Sequence, residues 1–119
     1  MAKIMVCDDA MFMRAAVKKV VESAGHMVIC EAGNGKEAIE MYTSYKPDLV
    51  LMDITMPDMD GIEATKQIRD IDPVAKIIMV SALGQMEMVV KAINAGASDF
   101  IVKPVEDEKL KACIKKYLG

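Results

Sequence analysis

Residues 48–61 read Asp48-Leu-Val-Leu-Met-Asp53-Ile-Thr-Met-Pro-Asp-Met-Asp-Gly61. The four apolar residues between Asp48 and Asp53 are the near-continuous hydrophobic run that a central strand, buried on both faces, requires. The run finishes on a carboxylate, Asp53, an unusual place for a charge, and the Pro- and Gly-bearing stretch after it is a turn. Outward from here, apolar runs of strand length alternate with helix-period segments five times, with short connections and no repeat or low-complexity tract. The order βαβαβαβαβα predicts a parallel sheet with helices on both faces, a doubly wound α/β fold.

Upstream, a first strand is expected over Lys3 to Asp8. The helix after it sets Met13, Ala16, Val17, Val20 and Ala24 on one stripe with Arg14, Lys18 and Glu22 opposite, and ends at Gly25. A second strand, Met27 to Ala32, leads to Asn34-Gly-Lys-Glu37, a capping side chain and a Glu three residues on, opening a helix that stops before Pro47. Downstream, a short helix turns Ala64, Ile68 and Ile71 inward, and Lys76 to Ser81 is the fourth strand. Val89, Ala92 and Ile93 line a fourth helix closed by Gly96, Asp99 to Val102 is the fifth strand, and Leu110, Cys113, Ile114 and Tyr117 face a final helix.

The 119 residues suit one domain over 1–119, and 53% hydrophobic with 28% charged residues supply an ordinary core. Fifteen basic against 18 acidic side chains leave a net charge of −3, with no basic surplus to neutralise a phosphate backbone, so nucleic acid is not expected as a partner. No apolar run approaches the roughly 18 residues of a membrane span, and the N-terminal stretch reaches a charge too soon for a signal peptide. A soluble, cytoplasmic monomer is expected. Cys7, Cys30 and Cys113 are odd in number and set among apolar neighbours, which reads as reduced core thiols. Most of the 12 methionines fall at core positions as gap fillers, a minority being left for binding.

In an open parallel sheet the ligand site lies outside the C-terminal ends of the strands, where the strand order reverses. Four of the five strand ends carry polar groups there: Asp8 and Asp9, Asp53, Ser81 and Lys103. Three carboxylates held together repel one another, and a hard cation with oxygen ligands, Mg2+ in a cell, is the simplest way to keep them ionised. A carboxylate beside that cation is a nucleophile toward phosphorus, and Asp53 is best placed for it. A lysine ammonium and a serine hydroxyl can hold phosphoryl oxygens, one as a point charge and the other as a donor. Singly, Asp8 and Asp9 read equally as helix caps, Asp53 and Ser81 as turn residues and Lys103 as a solvated lysine. Phosphoryl chemistry is the one use that employs all five.

With those residues on the page, the whole chain resembles a response-regulator receiver domain. The acidic pair Asp8-Asp9, Asp53 in Leu-Met-Asp-Ile-Thr-Met-Pro-Asp-Met-Asp-Gly, Ser81-Ala82 and Lys103-Pro104 stand in receiver order and spacing. Asp-Asp-Ala-Met-Phe-Met-Arg (8–14) and Ser-Ala-Leu-Gly-Gln (81–85) are most similar to stand-alone chemotaxis regulators of archaea and of bacteria outside the enteric group. The resemblance implies a (βα)5 flavodoxin-like fold with strand order 2-1-3-4-5. It also implies phosphorylation of Asp53 by a CheA-like sensor histidine kinase, with Mg2+ held by Asp9, Asp53 and the main-chain carbonyl of Thr55 and with Asp8 placing metal water. By the same resemblance Ser81 and Lys103 grip the phosphoryl group, Phe100 rotates inward as Ser81 moves, and the bond before Pro104 is cis. From the residues alone Phe100 reads equally as a permanently buried core aromatic.

The output face implied is the fourth helix, fifth strand and fifth helix, toward a motor switch protein or an archaellum adaptor. Met88 and Val90 flank the core stripe of the fourth helix with Lys91 further round, so a partly apolar docking patch is expected there, although Met88 reads equally as a core-edge residue. Two positions bear on signal lifetime: Thr55 and Leu83, two residues past Asp53 and Ser81, offer neither carboxylate nor amide to orient a hydrolytic water, and slow self-dephosphorylation is expected. Competing classes fit less well. A flavin carrier needs a phosphate loop where Asp8 and Asp9 would repel it, and a metal-dependent phosphatase needs an acid–base carboxylate where Thr55 stands. A pseudo-receiver would not need Asp53, Lys103 and both acids intact, and no Gly-x-Gly-x-x-Gly or Walker pattern marks a nucleotide enzyme.

Overall fold

The structure, a computed structural model, describes residues 1–118. Its elements are β1 (Lys3–Cys7), α1 (Met11–Ser23), β2 (Met27–Ala32), α2 (Gly35–Tyr45), β3 (Leu49–Met52), α3 (Gly61–Ile71), β4 (Ile77–Ser81), α4 (Met86–Ala95), β5 (Asp99–Val102) and α5 (Asp107–Leu118). The five strands form one sheet in the order β2-β1-β3-β4-β5, every pairing parallel. The fold class and strand order expected above are those observed. Three strands run shorter than expected: Asp8, Asp53 and Lys76 lie just outside them. At Asp8 and Asp53 the backbone is already leaving the sheet to present a side chain at its edge.

The alternation of side chains along each strand divides the core in two. Met5, Cys7, Val50, Met52, Ile77 and Met79 face Ala38 and Tyr42 of α2, Ala64 and Ile68 of α3, and Ala92 of α4. Ile4, Val6, Leu49, Leu51, Ile78, Val80 and Ile101 face Val17, Val20 and Val21 of α1, and Leu110 and Ile114 of α5. The central strands β3 and β4 are buried at every residue, as strands covered on both faces must be. Among the described residues no helix is long and apolar enough to cross a membrane.

Local signals act as read. The Asn34 carboxamide accepts from Glu37 N–H at 2.9 Å while Glu37 accepts from Gly33 N–H at 3.0 Å, a reciprocal cap that fixes the start of α2. Lys46 closes α2 in the left-handed region and Gly96 does the same for α4. Other expectations do not hold. Ile71, Ile93 and Ala16, expected on inward stripes, are exposed. Ile71 is the last residue of its helix, and Ile93 and Ala16 lie at the edge of their stripes, beside the buried Ala92 and Val17. The three cysteines are free; burial raises Cys7, and burial pushes Cys30 and Cys113 up to about 11, so none is a thiolate at neutral pH.

Two glycines let the turn after β3 close. The Gly61 N–H donates to the Ile54 carbonyl at 2.8 Å and that of Gly35 to the Met59 carbonyl at 2.8 Å, which ties this loop to the start of α2. A Cβ on Gly61 would run into the main-chain carbonyl of Asp53, and one on Gly35 would stand 2.5 Å from the Met59 carbonyl oxygen. Because the obstacle at Gly61 is backbone, no side-chain adjustment relieves it. Gly61→Ala is therefore expected to lower stability by about 1–3 kcal/mol, read as a lower urea midpoint.

Candidate functional site

The carboxyl ends of β1, β3, β4 and β5 meet at one edge of the sheet. The ladder continues past the strand ends: Asp8 N–H donates to the Ala32 carbonyl at 3.0 Å, Asp53 N–H to Cys7 at 2.9 Å and Lys103 N–H to Ser81 at 2.9 Å. The sheet itself thus fixes the backbone of three of the expected site residues. The Lys103–Pro104 bond is cis.

Asp8 and Asp53 are 5% and 7% exposed, and Asp9 beside them is exposed. One carboxylate oxygen from each of the three lies within 4.8 Å of the others. The Lys103 ammonium donates to Asp8 Oδ2 at 2.8 Å and Asp53 Oδ2 at 3.3 Å. The other Asp8 oxygen accepts from Ala10 N–H at 2.9 Å, and the other Asp53 oxygen from Ile54 N–H at 2.8 Å. Burial raises the Asp53 carboxyl above its usual range against the pull of the Lys103 charge. Burial opposes the charge of Lys103 as well, yet the hydrogen bond to Asp8 and the field of both carboxylates outweigh it and raise the ammonium's pKa.

Ser81, 1% exposed, accepts at Oγ from Leu83 N–H at 3.1 Å, which leaves its own proton to donate. Leu83, Phe100 and Met88 all pack, half-buried, on the α2/α3/α4 side of the core. Phe100 is therefore neither fully buried nor free. Thr55 is exposed. On α4 the structure separates the expected surface residues. Met88 is mainly a core-edge residue, whereas Val90 is 48% exposed and Lys91 points to solvent, paired with Glu87 at 3.3 Å.

Arg14 was missed. It was expected on the polar face of α1, but only 17% of its side chain is exposed, and its Nη1 donates to the main-chain carbonyl of Asp8 at 2.6 Å while Nε meets Glu31 Oε1 at 3.1 Å. Helical periodicity sorts inward from outward; it does not mark the flank of a helix that faces a neighbouring strand.

The donors are all carboxylates, they lie close together, and two are buried, which suits a hard divalent cation such as magnesium rather than a thiophilic one. Beside them stand a hydroxyl and an ammonium from β4 and the end of β5. The arrangement can hold a cation on one side and phosphoryl oxygens on the other, with Asp53 between.

Comparison with known proteins agrees. The family model for the response regulator receiver domain matches residues 4–115. Chemotaxis protein CheY of Thermotoga maritima is 52% identical over 114 residues, 96% of this chain and 95% of that one. Chemotaxis protein CheY of Bacillus subtilis is 52% identical over 117 residues, 98% of each chain. Among solved structures, a chain in the crystal structure of the CheX-CheY-BeF3-Mg2+ complex from Borrelia burgdorferi superposes with a TM-score of 0.94 at 34% identity, over 97% of this chain and 87% of that one.

Three crowded carboxylates with one ammonium make the metal-free site self-repelling. Asp53→Asn relieves that repulsion while Lys103 keeps its partner Asp8, so the variant is expected to melt above the wild type in chelator. Added magnesium should raise the wild-type melting temperature, by about 2.7 kcal/mol of stabilisation at a hundredfold excess over Kd, and raise that of the variant much less. Thermal scans with and without magnesium read both effects.

Proposed function

This chain belongs to the response regulator receiver domain family, and on that premise we propose that it is a phosphorylation-activated chemotaxis regulator whose phosphoryl acceptor is Asp53. The observation that carries the reading is the Lys103 ammonium held 3.3 Å from one Asp53 oxygen while a main-chain N–H holds the other at 2.8 Å. The carboxylate is oriented before any substrate arrives, and orientation is a large part of phosphoryl-transfer catalysis.

In the step proposed, an Asp53 oxygen attacks the phosphorus of a phosphohistidine on a CheA-like kinase. The O–P bond forms as the P–N bond breaks, and the departing imidazole takes up a proton. Asp9, Asp53 and the Thr55 carbonyl would hold magnesium, with Asp8 acting through water. When bound, that ion supplies the positive charge that offsets charge building on the phosphoryl oxygens. Lys103 is drawn by charge from the carboxylates to the incoming phosphoryl group, and Ser81 donates its hydroxyl proton to it. Because the Ser81 hydroxyl holds Leu83 N–H, its movement draws on the loop that packs beside Phe100 and Met88. That coupling supports an inward turn of Phe100 and a change in the face formed by α4, β5 and α5, with Val90 and Lys91 at its surface. A motor switch protein or archaellum adaptor that binds the phosphorylated form more tightly would read it, in the cytoplasm. The protein is a signalling acceptor rather than an enzyme acting on external substrates.

Intact-protein mass after treatment with acetyl phosphate tests the reading. One magnesium-dependent phosphoryl adduct, labile to hydroxylamine and absent from Asp53→Asn, is expected; no adduct on folded wild type given either acetyl phosphate or a phosphorylated kinase would overturn it. Thr55 and Leu83 give the site neither a carboxylate nor an amide to orient water. Thr55→Asn and Leu83→Glu are each expected to hasten loss of the adduct, up to about tenfold (1.4 kcal/mol of barrier), followed by the same mass measurement over time.

A further inference from the structure

We infer that Arg14 is a positioning residue for the acidic pair: it pins the peptide between Asp8 and Asp9 and so sets where the Asp9 carboxylate points. The inference rests on the reading that this pocket takes magnesium.

Asp8 has all three of its oxygens engaged. The carbonyl accepts from Arg14 Nη1 at 2.6 Å, Oδ1 from Ala10 N–H at 2.9 Å and Oδ2 from Lys103 at 2.8 Å. Asp9, by contrast, is exposed, and its carboxylate joins the cluster of three because of how the preceding peptide is turned. That peptide's oxygen is the one Arg14 holds, and the charged donor makes the bond a strong one. The guanidinium is itself anchored, since Nε meets Glu31 of β2 at 3.1 Å. One planar fork therefore ties the exit of β1 to the neighbouring strand. A lysine would keep the charge but cannot bond two acceptors in that fixed geometry.

Charge and geometry make opposite predictions here. A cation beside the site repels magnesium, so if Arg14 acted through charge alone its removal would tighten binding. If it acts by orienting a ligand, removal weakens binding, as loss of groups that orient metal ligands commonly does, by about 10–100-fold.

The test is the magnesium Kd by isothermal titration calorimetry on wild type, Arg14→Lys, Arg14→Gln, Glu31→Gln and the double variant Arg14→Gln/Glu31→Gln, with folding checked by circular dichroism. Both Arg14 variants are expected to raise Kd about tenfold or more, Glu31→Gln less, and the double variant no more than Arg14→Gln. Wild-type affinity in Arg14→Lys, or tighter binding in Arg14→Gln, overturns the inference, as does a loss of thermal stability with Kd unchanged. Should the Arg14 variants fail to fold, an unchanged Kd in Glu31→Gln overturns it by itself. If the wild type binds no magnesium, the reading of the pocket fails and takes this inference with it; if the wild type binds and the variants match it, the inference fails alone.

Discussion

Two buried carboxylates share one ammonium. Asp8 and Asp53 come from the ends of β1 and β3, and Lys103 comes from beyond β5. Carboxylates this close and this dry repel strongly, and the Lys103 ammonium offsets that repulsion. The strand order brings it into reach. With β1 and β3 adjacent at the centre, their ends bring the acids side by side, and β4 then carries β5 to the distance from which a long lysine side chain spans back. The pair is a constraint on geometry more than a source of stability, because the desolvation of three charges offsets much of their attraction.

The same edge explains where the protein is smooth and where it is not. Under Asp53 the loop after β3 closes so tightly that Gly61 has no room for a side chain. On the far side α4 begins without a side-chain cap, and Met86, Val90 and Ile93 stay largely exposed along it. A helix fixed at its C-terminal end by Gly96, with Arg69 donating to the Gly96 carbonyl at 3.0 Å, and open at its N-terminal end is suited to respond to the loop carrying Ser81 and Leu83. Exposed apolar surface on such a helix is of the kind that partner-binding faces present.

Much of this was legible beforehand. Strand periodicity and turn residues located all ten elements, and the rule that ligands sit at the carboxyl ends of parallel strands gathered Asp8, Asp9, Asp53, Ser81 and Lys103 without any contact being known. What local pattern could not provide was of two kinds. Lys103 lies 95 residues from Asp8 and 50 from Asp53, so their pairing belongs to the sheet order and not to any window of sequence. Ile71, Ile93 and Ala16 fit a helical stripe yet are exposed, because a period gives the direction of the apolar face and not the width that the neighbouring layer covers. Arg14 combines both difficulties, being outside the apolar stripe and bonded to a main-chain oxygen that carries no sequence signature.

The 95-residue span between Lys103 and Asp8 also has a meaning in time. The chain is made from its N-terminus, so both acids leave the ribosome well before the lysine that neutralises them. Until β5 emerges, a growing chain that already has β1 and β3 lacks the ammonium that offsets these two carboxylates. Completion of the charge cluster is thus tied to the arrival of the last strand.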